Sequence, residues 1–115
     1  MCALRVHCVA RARATVQVSV HYTSGFNYIV NVRQSAQLAT ALGHADNATQ
    51  LSALAASLAT DFHAAWFHAA SATYDDGRPT SYALALFTPG IVPAAMHDTI
   101  ADGLLNAVVP PPLPI

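Results

Sequence analysis

All of the acid–base chemistry open to this 115-residue chain rests on six aspartates, six histidines and five arginines, because it has no glutamate and no lysine. Asp75 and Asp76 are adjacent in a Tyr-Asp-Asp-Gly turn, and Asp98 and Asp102 lie four apart, on one face of any helix that carries them. Two carboxyl groups facing each other across a scissile bond can act as general acid and general base. Neighbours in a turn diverge, however, and an i, i+4 pair on an exposed helix is the pattern of a solvated face. Neither pair therefore reads as a catalytic dyad, and Asp61 falls within a helical stretch, facing solvent. His63 and His68 are five apart and so diverge by about 140° around a helix. His44 and His97 lie on other segments, and no metal site is expected. Gly-x-Ser-x-Gly, Cys-x-x-Cys and Gly-rich phosphate-loop motifs are absent, so the sequence implies no cofactor.

Hydrophobic residues make up 54% of the chain and charged residues 10%, which excludes a disordered tail. A net charge of −1 gives no electrostatic case for nucleic acid or an anionic membrane, and Arg5, Arg11 and Arg13 lack the aromatic support of a nucleic-acid surface. Those arginines and His7 also interrupt any signal-peptide core, and no apolar run reaches the roughly 20 residues of a membrane span. Cys2 and Cys8 read as unpaired thiols.

The elements that must position these groups follow from periodicity. Val16, Val18, Val20 and Tyr22 alternate with polar residues as in a short strand, and Ser24-Gly25 breaks it. Tyr28, Val32, Ser35, Ala39 and Leu42 then mark one face of a helix that Gly43 stops. Asn47, three residues before Gln50, suggests the cap of a second helix over about 48–68, with Leu51, Ala55, Leu58 and Phe62 on its apolar face. Trp66 and Phe67 fit core packing better than a sugar-stacking surface. A loop of about four residues makes these two helices an antiparallel hairpin. Asp76-Gly77 is a turn, and Pro79 opens a short helix through Phe87 that is apolar nearly all round and so expected to be buried on every side. Thr88-Pro89-Gly90 ends it. Pro93 starts a last helix with Met96, Ile100, Leu104 and Ala107 on one face, which Gly103 weakens by about 1 kcal/mol. The Pro-rich tail, 110–115, is expected to be extended.

In order and spacing, the pieces Gln37-Leu38-Ala39-Thr40-Ala41-Leu42-Gly43, Leu58 through Phe67, Tyr74-Asp75-Asp76-Gly77, Thr80 through Leu86 and Gly90-Ile91-Val92-Pro93 carry a family likeness. Residues 26 to about 109 resemble a C-terminal part of the catalytic domain of bacterial-type α-L-rhamnosidases, six-hairpin glycosidases built as an (α/α)6 barrel. The resemblance implies hydrolysis of terminal α-L-rhamnose with inversion in the complete enzyme, and a carbohydrate as its partner. It also implies that the turn entering an inner helix lies beside the sugar pocket, which makes Tyr74, Asp76 and Arg78 the substrate-proximal candidates. The chain departs from the family where Pro79 replaces a usual Gln and where Asp75 replaces a frequent Gly. The family's acid and base are both Glu, and this chain has none.

The expected fold is all-α: helical hairpins from a partial (α/α)6 toroid. Residues 1–25 are expected to be an atypical N-terminal segment, either disordered or holding one short strand, 26–109 the glycosidase-like helices, and 110–115 the tail. Such a piece, whether from a truncated gene or a mis-set reading frame, would be inert alone and could associate through exposed apolar helix faces. The alternatives are a free-standing α-helical interaction module or a non-functional remnant.

Overall fold

The computed structural model describes residues 19–109. Over these residues the protein is all-α apart from one two-residue ladder: α1 (Val20–Ala41), α2 (Ala45–Trp66), β1 (Phe67–His68), β2 (Thr73–Tyr74), α3 (Pro79–Phe87), a 3-10 turn (Ala94–Met96) and α4 (His97–Val108). The expected tail, the Val16 and Val18 positions of the expected strand, and the three N-terminal arginines lie outside the described residues.

Local backbone chemistry sets the hairpin. Gly43 adopts φ +80°, and the amides of Gly43 and His44 donate to the carbonyls of Thr40 and Ala39, at 3.1 and 2.9 Å. That is the paired bonding of a Schellman cap, and it turns the chain so sharply that α2 begins at Ala45. The expected cap at Asn47 is therefore corrected: His44 is the N-cap, and Asn47 lies inside the helix. Asp46 in the first turn still offsets the partial positive charge there. At the far end, α2 stops at Trp66, two residues short of the expected end. Phe67 and His68 instead pair antiparallel with Tyr74 and Thr73.

The expected strand fails where it can be seen: Val20 and Tyr22 are helical, and α1 runs through Ser24-Gly25 without a break. Packing explains both. Tyr22, Phe26 and Ile29 sit at i, i+4 and i+7 and form a buried aromatic-led stripe. Gly25 admits the ring of Phe62, since a Cβ there would lie 3.1 Å from Phe62 Cε2. The stripe also rotates α1 relative to the expected face. Val32 and Ala39 are buried as expected, but Tyr28 is 53% and Leu42 64% exposed.

Proline at the first position opens α3 as expected, and Thr88-Pro89-Gly90 ends it. Its expected burial on every side is corrected. Ser81, Tyr82 and Ala85 face inward, Leu84 and Leu86 are half-buried, and Phe87 is 71% exposed. Too few of the described elements surround α3 to cover it. Ile91 and Val92 then plug the core, and α4 packs on α3 with Ile100 fully buried. His97 Nε2–H, donating to the Val92 carbonyl at 3.0 Å, fixes the entry to α4.

Gly103 has a role that helix propensity alone conceals. The Tyr82 ring occupies the place of its missing side chain, and a Cβ there would lie 2.8 Å from Tyr82 Cε1. Gly103→Ala gains about 1 kcal/mol of helix propensity but overpacks Tyr82, at a cost of about 1–3 kcal/mol. We expect a net loss in a thermal melt followed by circular dichroism. A variant as stable as the parent would show that Tyr82 is not held against α4.

Candidate functional site

The turn from Tyr74 to Arg78 joins the two-strand ladder to α3, and three contacts hold it from beneath. Tyr74 is fully buried, and its hydroxyl shares a 2.6 Å hydrogen bond with His63 Nδ1, from the last turns of α2. The His63 imidazole in turn stacks on Phe67, with ring centroids 4.8 Å apart. Asp75 N–H donates to the Trp66 carbonyl at 3.0 Å, while its carboxylate accepts Ser19 N–H at 3.1 Å and so ties the turn to the start of α1. Asp75 sits at φ +53°, a left-handed conformation in which Asp is among the better tolerated residues and Gly is free of strain. This backbone requirement accounts for the glycine that the resemblance places there.

The third contact comes from Tyr22, which sequence reasoning assigned to a strand and missed as a site residue. Its hydroxyl donates to the Ser81 carbonyl at 2.5 Å, in the first turn of α3. Its ring lies 4.8 Å from Phe62 and 5.5 Å, edge-on, from Trp66. Burial, then the nearby Tyr74 and Asp75, pushes the Tyr22 phenol far above its ordinary value. Burial likewise pushes Tyr74 up to about 12. The one sequence signal for Tyr22 was its i, i+4 relation to Phe26, which the short alternating run obscured.

Of the three candidates, Tyr74 lies within the core, and Asp76 and Arg78 form an ion pair on the outer side of the turn, with side chains 39% and 20% exposed. Arg78 Nε donates to Asp76 Oδ2, and Arg78 Nη1 is buried with no hydrogen-bond partner among the described residues. Asp76 faces solvent, which screens the pair, so it adds little stability. Trp66 and Phe67 pack against the core as expected. Asp61, Asp98 and Asp102 are exposed on their helices. Among the described residues, no three His, Cys, Asp or Glu side chains come together as a metal site would require. No helix of the described residues is long and apolar enough to cross a membrane.

Residues 9–110 match the family described as the bacterial alpha-L-rhamnosidase 6 hairpin glycosidase domain. The chain belongs to this family. No match was found among curated proteins or among solved structures. The family match begins ahead of Phe26, so it takes in the first half of α1 and the Tyr22 contacts that the quoted motifs leave out. In this α-L-rhamnosidase-like glycosidase domain, α1 and α2 supply one helical hairpin, and α3 follows the turn that carries Asp76 and Arg78.

The raised phenols make alkaline stability a direct check on this geometry. Tyr74 binds its proton more tightly folded than unfolded, so its contribution is complete below the unfolded value of 10.0 and is lost as pH rises through about 12. Tyr22 acts in the same sense. Stability measured by denaturant titration should hold up to about pH 10 and fall above it, with a shallower fall in Tyr74→Phe. Tyrosinate absorbance appearing at the ordinary phenol pKa for all four tyrosines would contradict the burial of both rings.

Proposed function

We propose that this chain contributes helical hairpins and one substrate-facing turn to a glycoside hydrolase domain that cleaves terminal α-L-rhamnosides. The observation that carries the reading is the family match over residues 9–110, joined to a polar pair, Asp76 and Arg78, held on the outer side of the turn that opens α3. In this reading Tyr74 positions the turn from below, Asp76 meets the sugar hydroxyls, and Arg78, the more enclosed of the pair with its Nη1 buried, holds the Asp76 carboxylate in place beside the sugar.

Inverting hydrolysis needs one carboxylic acid to protonate the leaving oxygen and one carboxylate to activate water, about 6.5–9.5 Å apart. Asp75 is engaged with Ser19 N–H and Asp76 with Arg78. With no glutamate in the sequence, the acid and base come from elements beyond these residues, and the chain alone is inert. A six-hairpin domain needs six helical pairs, and the half-covered α3, with Phe87 at its open edge, has the surface that neighbouring hairpins would bury. A second reading, a free-standing helical module, draws support from the contiguous core that runs from Tyr22 to Ile100.

Two measurements on the purified chain test the proposal. An aryl α-L-rhamnoside should show no turnover above the buffer blank, and turnover abolished by an aspartate substitution would overturn the assignment of the acid and base elsewhere. Nitrogen-15 NMR with added L-rhamnose should move the amides of 76–81 and the Arg78 Nε–H, and D-mannose should move them less. No response to rhamnose, in a chain that shows a cooperative melt, would favour the interaction module.

A further inference from the structure

Arginine is the only strongly basic residue type in the chain, and two arginines, Arg33 and Arg78, fall among the described residues. All six aspartates fall there too, and the ion pair they supply is Asp76 with Arg78. No aspartate therefore neutralises Arg33. Its side chain lines a groove of about 220 Å³ between α1 and α2, whose lining includes no carboxylate. On α1, Arg33, Ala36, Gln37 and Thr40 lie at i, i+3, i+4 and i+7 and so share one face. Ser52 and Ala55 of α2 complete the lining. The two alanines are buried, while Gln37, Thr40 and Ser52 are exposed, so the groove has an apolar floor and polar walls.

We propose that this groove binds a compact oxoanion, which presents a carboxylate or phosphate group to Arg33. The guanidinium is already tethered: Nη1–H donates to the Pro89 carbonyl at 3.4 Å, in the loop that follows α3. One long bond leaves most of the guanidinium N–H donors for a ligand, and a guanidinium edge meets a carboxylate or phosphate through two parallel bonds. Thr40 gives its hydroxyl proton to the Ala36 carbonyl at 3.1 Å, which leaves its oxygen as an acceptor for a bound water or a ligand hydroxyl. Gln37 and Ser52 bring a side-chain amide and a hydroxyl to the walls as neutral donors. The volume takes an ion of about four or five heavy atoms with part of its hydration shell, at roughly 30 Å³ per water. Arg78 cannot serve in the same way, because Asp76 holds its Nε and its Nη1 is buried. The groove shares no residue with the turn at 74–78, so the inference goes beyond the rhamnosidase reading and does not rest on it.

Nitrogen-15 NMR of the full chain tests it, with sodium acetate and sodium phosphate titrated separately against sodium chloride at matched ionic strength and pH. The expected result is a saturable shift of Arg33 Nε–H, the Gln37 side-chain amide and the backbone amides of 36–40 and 52–55, with acetate or phosphate but not with chloride. Tighter saturation by acetate assigns a carboxylate ligand, and tighter saturation by phosphate a phosphate-bearing one. Arg33→Gln should weaken binding at least about tenfold, the loss expected when a charged hydrogen-bond donor is removed. Ser52→Ala, at an exposed position where unchanged circular dichroism will confirm the fold, should weaken it about threefold. Shifts that rise linearly and match those in chloride show ionic screening alone and overturn the proposal. So do shifts that survive Arg33→Gln, or shifts centred on 76–81, which assign the anion to Arg78 instead.

Discussion

The structure depends on one buried phenol. Tyr22 places a hydroxyl on the Ser81 carbonyl and its ring against Phe62 and Trp66, so a single side chain joins α1, α2 and α3. An unpaired hydroxyl in that position would cost about 1–3 kcal/mol, and only one orientation of α3 supplies its acceptor. That orientation turns Ser81, Tyr82 and Ala85 inward and leaves Phe87 at the rim, where it still reaches Phe26 at a ring separation of 6.1 Å. Tyr82, turned inward, takes the space that Gly103 vacates on α4. The position of the last helix therefore follows from a contact made at the start of the first.

The same constraint divides the turn at 74–78 into supporting and outward-facing parts. Tyr74, Asp75 and Gly77 belong to the support: a hydrogen bond to His63, a carboxylate on Ser19 N–H, and an amide on the Tyr74 carbonyl at 2.9 Å. The Asp76 and Arg78 side chains pair with each other, while the Arg78 backbone starts α3 by accepting Tyr82 N–H. Residues of one short turn thus have different work because their side chains meet different surroundings. A hydrogen-bonded base beneath a short polar tip is how a loop is kept in one geometry at an edge open to solvent.

Features set by local backbone chemistry were legible in the sequence. Gly43 as a helix stop, Pro79 as a helix start and Thr88-Pro89-Gly90 as an end each follow from what one residue permits its own backbone. The family was legible for a similar reason, since short motifs keep their order and spacing without reference to packing. What escaped was decided by contacts distant in sequence. The start of α1 and the rotation of its face depend on Phe62 and Trp66, some forty residues on from Tyr22. The two-residue ladder of Phe67 and Tyr74 is too short to leave a period. Tyr74 as a buried support, rather than an exposed contact, required His63 to be brought beside it. The absence of Glu was plain from the letters alone, and it restricts the chemistry more firmly than any distance.

The central claim is that Tyr22 fixes α3 with one side sealed and the other bare. Solvent paramagnetic relaxation of side-chain protons, measured on the chain diluted until it is monomeric, reads this directly. The account predicts strong relaxation at the Phe87 ring and almost none at the Tyr22, Tyr82 and Ala85 side chains. Equal protection of Phe87 and Tyr22 would mean that α3 is enclosed by its own neighbours, and would contradict it.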